Sequence, residues 1–311
     1  MSTGLQKNLK KFYFMVGFVV PEFLKKLTVQ ASAKVNLHLA VKNRRKDGFH
    51  DIESVFLAVD FGDSLHFELI ECENRQEIVM EGLDFPVQAE KNIIFRALSL
   101  FREKTGFSGG IKVRVEKRIP LGGGLGGGSS DAAAALLAVN KLAGLPLNRD
   151  ALLETAGVLG SDVPFFIYET AAAWVTGRGE NIQPIEAPRL FLVLVNPGFH
   201  SDTAEAFRLL DKYRDNLKFV PAQTHRHTVL TNNPAEWEFH NDFLPVFNER
   251  EKSAYGEIIS SLRELGADFA SLSGAGSTCF GVFRKREIAE KAAEVLRESR
   301  GFVQLCCSFA V

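Results

Sequence analysis

The densest chemistry in the chain lies in one run, Pro120-Leu-Gly-Gly-Gly-Leu-Gly-Gly-Gly-Ser-Ser-Asp131, where six of the seven positions 122–128 are glycine. Each glycine costs backbone entropy on folding, so such a run needs a reason. Backbone N–H groups without side chains around them can close on an anion. A helix beginning near Ser129 would add free N–H groups and a partial positive charge. Phosphate is the ligand these features suit. A flexible linker is the competing reading, but the run sits between a strand and a strong helix, which calls for a defined turn. Gly122-x-Gly124-x-x-Gly127 satisfies the dinucleotide fingerprint literally. That fingerprint needs a buried parallel strand before it and an acidic ribose partner about 20 residues on. Here Lys112, Arg114 and Glu116 half-expose the preceding strand, and helical sequence fills the partner's place. Gly123 and Gly128 fit the start of a Walker loop, but Ser129 stands where its lysine must be.

Other residues could act on a ligand held there. Asp162, in the tight loop Gly160-Ser161-Asp162-Val163-Pro164, offers a carboxylate that could take a proton from a hydroxyl; capping the following turn is the competing role. Lys34 and Asn36 share one face of a strand by period-two alternation and could reach one ligand. A solvated edge lysine is the ordinary alternative. Phe49 and His50 follow Gly48, where a loop can present them. Ser129 and Ser130 offer hydroxyls for phosphate or a metal. Asp131 is a poor phosphate neighbour unless it turns away or caps the helix.

These residues need elements to position them. Alternation predicts a strand over 34–41, a turn over 44–50, a strand over 55–60, a turn at Phe61-Gly62-Asp63 and a strand over 65–70. Asn92 caps a predicted helix that Gly106 ends. A strand over 111–115 leads to the glycine run. Helices over 132–142 and 149–159 follow, then strands to about 176. The second half reads as a strand over 190–195, a helix over 203–213, a polar irregular stretch over 216–234, a helix over 253–265, strands over 268–272 and 278–283, a helix over 287–298 and a strand over 302–309. Strand–helix–strand–strand–helix–strand suggests a ferredoxin-like sandwich.

Hydrophobic residues make up 46% and charged residues 24% of the 311, which excludes a disordered chain, a coiled coil or a fibre. The nine-residue apolar run over 12–20 is too short to span a bilayer, so no membrane partner is expected. Cys72, Cys279, Cys306 and Cys307 form neither a disulfide framework nor a zinc spacing, and a reducing cytoplasm is expected. The net charge of -1 advertises no nucleic-acid surface. It is the sum of unlike parts. Residues 1–28 carry five lysines against Glu22, a net of +4, so the other 283 residues carry -5. That basic leader lacks the small-residue cleavage site of a secretion signal. It reads as an extension outside the fold, with Met15 as an alternative start.

The glycine run with its following Ser-Ser-x-Ala-Ala resembles the nucleotide loop of the GHMP small-molecule kinases, a superfamily that includes galactokinase, homoserine kinase and mevalonate kinase. Two companion motifs stand in order: Ala31-Ser32-Ala33-Lys34-Val35-Asn36-Leu37, and Ser273-Gly274-Ala275-Gly276-Ser277-Thr278. Ser32 replaces a proline common in the first. The doubled glycine loop, Arg45-Lys46-Asp47-Gly48-Phe49-His50 and Gly160-Ser161-Asp162-Val163-Pro164-Phe165-Phe166 are similar to the branch acting on a cytidine-diphosphate-linked methylerythritol. Asn196-Pro197-Gly198 and Asn241-Asp242-Phe243 match it less fully.

The resemblance spans about residue 29 to the C-terminus. It implies an α+β, two-domain GHMP kinase fold: a ribosomal-protein-S5-like domain over 29–180 and a ferredoxin-like α/β sandwich over 181–311. It further implies ATP-dependent phosphorylation of the 2-hydroxyl of a small-molecule cytidine diphosphate substrate, a step toward isoprenoid precursors, with Mg²⁺ assisting. Lys34 and Asp162 become the catalytic residues. Pro120, Leu121, Gly122, Gly123, Gly124, Leu125, Gly126, Gly127, Gly128, Ser129 and Ser130 hold ATP. Asn36, Phe49, His50 and Phe207 contact the substrate, with Phe49 and Phe207 stacking on the base. Ser273, Gly274 and Gly276 form the third loop. Another GHMP kinase, for homoserine or a sugar, and a non-catalytic nucleotide-binding protein are the alternatives. Gly48-Phe49-His50 argues against the first, since those substrates carry no cytosine. The presence of both Lys34 and Asp162 argues against the second.

Overall fold

Two long alternating segments dominate the first half of the chain. They form β1 (Lys26–Arg44) and β2 (His50–Ile70), antiparallel partners joined by a turn in which Gly48 takes φ +87°. The computed structural model describes residues 25–70, 78–81, 91–217, 230 and 232–309. Cys72 and most of the stretch 216–234 lie outside those residues. β1 begins at Lys26, inside the segment read as leader, and Lys26, Leu27 and Thr28 pair with Glu68, Phe67 and His66.

The turn expected at Phe61-Gly62-Asp63 is absent, because β2 runs straight through it. The bend is absorbed by a register shift: Ser32 faces Gly62, while Lys34, two residues on, faces Ala58. Glycine is required there, since a Cβ at 62 would lie 2.3 Å from the Ala31 carbonyl oxygen. Asp63 is fully buried and accepts hydrogen bonds from the N–H groups of Arg118 (2.5 Å) and Ile119 (2.8 Å), so it anchors the approach to the glycine loop.

Besides β1, β2 pairs with two further strands. Its first part pairs with β5 (Ala172–Gly177), which carries β6 (Asn181–Ile185); its last part pairs with β4 (Gly110–Glu116), which carries β3 (Ile78–Glu81). Helices α1 (Ile93–Thr105), α2 (Gly127–Leu142) and α3 (Arg149–Leu159) cover one side. Asn92 caps α1 by accepting from the Ile94 and Phe95 N–H groups, and Gly106 ends it in the left-handed region. The Ala-rich face of α2 packs on Leu65, Phe67, Val113 and Val115.

The second half builds β7 (Phe191–Asn196), α5 (Thr203–Leu217), α6 (Glu249–Glu264), β8 (Phe269–Leu272), β9 (Cys279–Phe283), α7 (Arg286–Arg297) and β10 (Phe302–Cys307). Its sheet order is β10-β7-β9-β8 with every pair antiparallel, the arrangement of a ferredoxin-like sandwich. The two halves share a core. Val35, Leu37, Val55 and Leu57 pack in one cluster with Leu192, Leu194, Phe280 and Val282. A short helix α4 (Val163–Tyr168) follows the Asp162 loop. No described helix is long and apolar enough to cross a membrane.

Candidate active site

The glycine loop is held in place by backbone bonds from both halves. The Lys34 N–H donates to the Leu125 carbonyl (3.0 Å) and the Thr278 N–H to the Gly123 carbonyl (3.1 Å). The Ser273 hydroxyl donates to the Gly124 carbonyl (2.8 Å) and accepts from the Asn36 N–H (3.2 Å). Gly122, Gly124 and Gly126 all have φ between +62° and +74°. Tight packing adds to that demand. A Cβ on Gly124 would meet the Ser273 carbonyl oxygen at 2.1 Å, and one on Gly122 would meet the His200 ring at 1.9 Å. The glycines therefore let three segments pass at backbone distance as well as exposing N–H groups. α2 begins at Gly127, earlier than expected, so the last glycines form its first turn. Its N-cap, Gly126, contributes no side-chain cap. The orphan N–H groups at that end remain available to an anion.

Lys34 projects from β1 into the cavity beside this loop. Its side chain is 4% exposed, its ammonium lies 3.2 Å from Asp162 Oδ2 and it donates to Asn36 Oδ1 at 2.6 Å. The Phe56 ring closes beneath it, 4.2 Å from Nζ to centroid. Asp162 occupies the N-cap position of α4 yet makes no capping hydrogen bond with its side chain. The capping role that competed for this aspartate is therefore not taken up. Asn36 spends its amide within the protein, since Nδ2 donates to the Ser54 hydroxyl at 2.9 Å. It lines the cavity but orients Lys34 first.

The base of α2 hides a buried charge cluster that the sequence did not reveal. Lys117 bonds to Asp63 and, at 2.7 Å, to Asp131. Asp131 thus turns away from the phosphate side, as its position required. Burial raises the Asp131 carboxyl to about 7 against the opposing pull of the Lys117 ammonium. Its Oδ1 is buried without a hydrogen-bond partner among the described residues. Ser129 lines the cavity, whereas Ser130 is 2% exposed and lies off its wall, because the first turn of α2 carries it inward. Ser273 is buried and, with Gly276, stands behind the glycine loop; Gly274 and Ala275 reach the cavity. Asn241 clamps this third loop by donating to the Leu272 and Gly274 carbonyls, both at 2.8 Å.

The cavity, about 850 Å³, runs from the glycine loop to Phe49 and His50. His50 is largely buried; its Nε2 lies 2.7 Å from Asp211 Oδ1. Its ring stacks on Phe207, with centroids 5.0 Å apart and planes 18° apart, and Phe207 meets Phe243 edge to face. Phe49 is 53% exposed, with the Arg178 guanidinium 5.0 Å above its ring. Phe207 therefore lies against His50, with Phe49 as the open aromatic surface. Asp211 and Arg178 were not found from the sequence. The signal for Asp211 was its place one helical turn after Phe207; Arg178, in the turn between β5 and β6, gave none.

The family described as "GHMP kinases N terminal domain" matches residues 92–170, and "GHMP kinases C terminal" matches 235–300. With the two-domain fold and the pinned glycine loop, this defines the class of the molecule as a GHMP kinase. Homoserine kinase from Cytophaga hutchinsonii shares the fold at 18% identity (TM-score 0.67, 94% of this chain and 97% of that one). Likeness is much greater to proteins named 4-diphosphocytidyl-2-C-methyl-D-erythritol kinase. The one from Syntrophotalea carbinolica is 39% identical over 275 residues, covering 88% of this chain and 95% of that protein. The one from Treponema pallidum is 37% identical over 283 residues, covering 88% and 95%. A crystal structure of 4-(cytidine 5'-diphospho)-2C-methyl-D-erythritol kinase superposes with TM-score 0.78 at 31% identity, covering 92% of this chain and all of the other. The chain belongs to the 4-diphosphocytidyl-2-C-methyl-D-erythritol kinase family.

Proposed function

We propose that the protein transfers the γ-phosphoryl group of ATP to the 2-hydroxyl of 4-diphosphocytidyl-2-C-methyl-D-erythritol, a step of the non-mevalonate route to isoprenoid precursors. The observation that carries this reading is one cavity with a Lys34–Asp162 pair beside a glycine loop at one end and Phe49 with His50 at the other. Family membership supports it.

Phosphoryl transfer asks the protein mainly to position groups and to stabilise charge. The glycine-loop N–H groups and the start of α2 hold the nucleotide phosphates. Lys34 fixes Asp162 through Oδ2, and Oδ1 accepts the proton of the attacking hydroxyl as the new P–O bond forms and the bond from the γ-phosphorus to the β–γ bridging oxygen breaks, releasing ADP. The buried ammonium lies close enough to that centre to offset the negative charge moving onto it. At the far end the cytosine stacks on Phe49, and His50 hydrogen-bonds its edge. Arg178, over Phe49, adds positive charge for the substrate's diphosphate.

Magnesium belongs to this proposal through the nucleotide. No group of three His, Cys, Asp or Glu side chains that could hold a metal occurs among the described residues. Mg²⁺ keeps several waters and is held through one or two carboxylates together with substrate phosphates. The Asp162 carboxylate and Ser129 hydroxyl are hard oxygen donors at the glycine-loop end of the cavity, and the ion would neutralise phosphate charge there. A reducing cytoplasm is the proposed location, and ATP and the cytidine substrate the proposed small-molecule partners.

The test is an ADP-release assay with purified protein, ATP, Mg²⁺ and, in turn, the cytidine substrate, homoserine and galactose. Turnover with the cytidine substrate alone is expected. Turnover with homoserine and none with the cytidine substrate would overturn the reading.

A further inference from the structure

α5 grips the His50 imidazole twice. Phe207 lies on its face at 5.0 Å, and Asp211, one turn further along, holds its Nε2 edge at 2.7 Å. Nδ1 has no hydrogen-bond partner among the described residues. No other charged side chain among the described residues lining this end engages the His50 ring: Arg208 is paired with Glu205 at 2.5 Å, Arg44 donates to the Gly48 carbonyl, and Arg178 sits over Phe49.

A carboxylate only accepts hydrogen bonds. The proton of the neutral ring is therefore drawn to Nε2, and Nδ1 is left with a bare lone pair. This matters for the base. Cytosine carries an amino donor at position 4, where uracil carries a carbonyl acceptor. A bare Nδ1 accepts from the first and faces the lone pairs of the second.

We propose that Asp211 is a positioning residue that sets the tautomer of His50 and so makes the site select cytosine over uracil. The proposal rests on the reading of His50 as the residue that contacts the base. It assigns the selectivity to a helix 161 positions away in sequence.

The experiment measures kcat and KM for the cytidine substrate and its uridine counterpart in the wild type, His50→Ala, Asp211→Ala and Asp211→Asn, with thermal melts to establish folding. ¹⁵N NMR of the labelled imidazoles reports the His50 tautomer. A site built around a hydrogen bond rejects the analogue lacking it strongly, so the wild type is expected to prefer cytidine by on the order of 10²-fold or more. In Asp211→Ala, KM for the cytidine substrate is expected to rise about tenfold with kcat within about twofold, the worth of roughly one hydrogen bond to a charged partner. The cytidine preference shrinks by a similar factor, and the His50 signals move from the Nε2–H tautomer to a mixture. Asp211→Asn keeps the shape of the side chain and can present an N–H to Nε2. It is expected to fold even if the alanine variant does not, and to reduce the preference as well. If His50→Ala leaves KM for the cytidine substrate unchanged, the underlying reading of His50 fails. If His50→Ala raises it while both Asp211 variants keep the wild-type preference and tautomer, the role of Asp211 is refuted.

Discussion

The two ends of the cavity are built from different materials. The phosphate end is backbone: a glycine loop tied by main-chain groups to β1 and to the third loop, with a lysine–aspartate pair set into its wall. The base end is side chains: an exposed Phe49, and a His50 held by residues of α5. Backbone recognition suits a group that every turnover shares. It is insensitive to surface substitution but intolerant of any added atom. Side-chain recognition can be retuned one residue at a time, and under the proposed function this is the end that selects the substrate.

Substitutions can break that division. The largest effect is expected for Gly124→Ala, which places a Cβ against the Ser273 carbonyl at a φ of +74°. The strain, about 1–3 kcal/mol before the clash is counted, should abolish detectable ATP binding in calorimetry. Retained binding would show that the loop can rebuild itself.

Asp162→Asn comes next. Loss of a general base should lower kcat by roughly 10²–10⁴, with ATP affinity kept, in steady-state and binding measurements. Normal turnover would remove Asp162 from the chemistry. At the other end, His50→Ala should leave kcat nearly intact and raise KM for the cytidine substrate roughly tenfold to a hundredfold, the worth of one or two hydrogen bonds. An equal fall in kcat would mean that the two ends are coupled.

The smallest effect concerns the cluster beneath α2. Burial raises the folded-state Asp131 carboxyl from 3.8 to about 7, so the native protein binds a proton there that the unfolded chain has lost. That contribution to stability is complete below about pH 4 and disappears as pH rises toward 7. Melting profiles should therefore show the Asp131→Asn variant gaining on the wild type over this window. A constant difference between the two would place the proton elsewhere.

The sequence was legible where function is contiguous. Gly122 to Gly128 form one loop, and period-two spacing was enough to bring Lys34 and Asn36 together. The Lys34–Asp162 ion pair joins two residues that each stood out in its own segment. The order of elements in the second half gave the ferredoxin-like sheet. Legibility failed where partners are distant. Asp211 and His50, or Lys117 and Asp63, 54 positions apart, carry no local signal of their pairing. It failed at Gly62 for another reason. Gly62 between Phe61 and Asp63 reads as a turn, whereas here it lets two paired strands approach at close range.

One tie has a consequence in time. The glycine loop borrows its shape from Ser273 and Thr278, and the Ser273–Gly124 bond closes a separation of 149 positions. Contacts of that range form late and slowly. As the chain leaves the ribosome, the loop emerges long before the residues that brace it. A nascent chain that has not yet exposed Thr278 carries the nucleotide motif in full and cannot yet use it. Capacity for phosphoryl transfer thus arrives at once, after Thr278 has emerged, rather than growing with length.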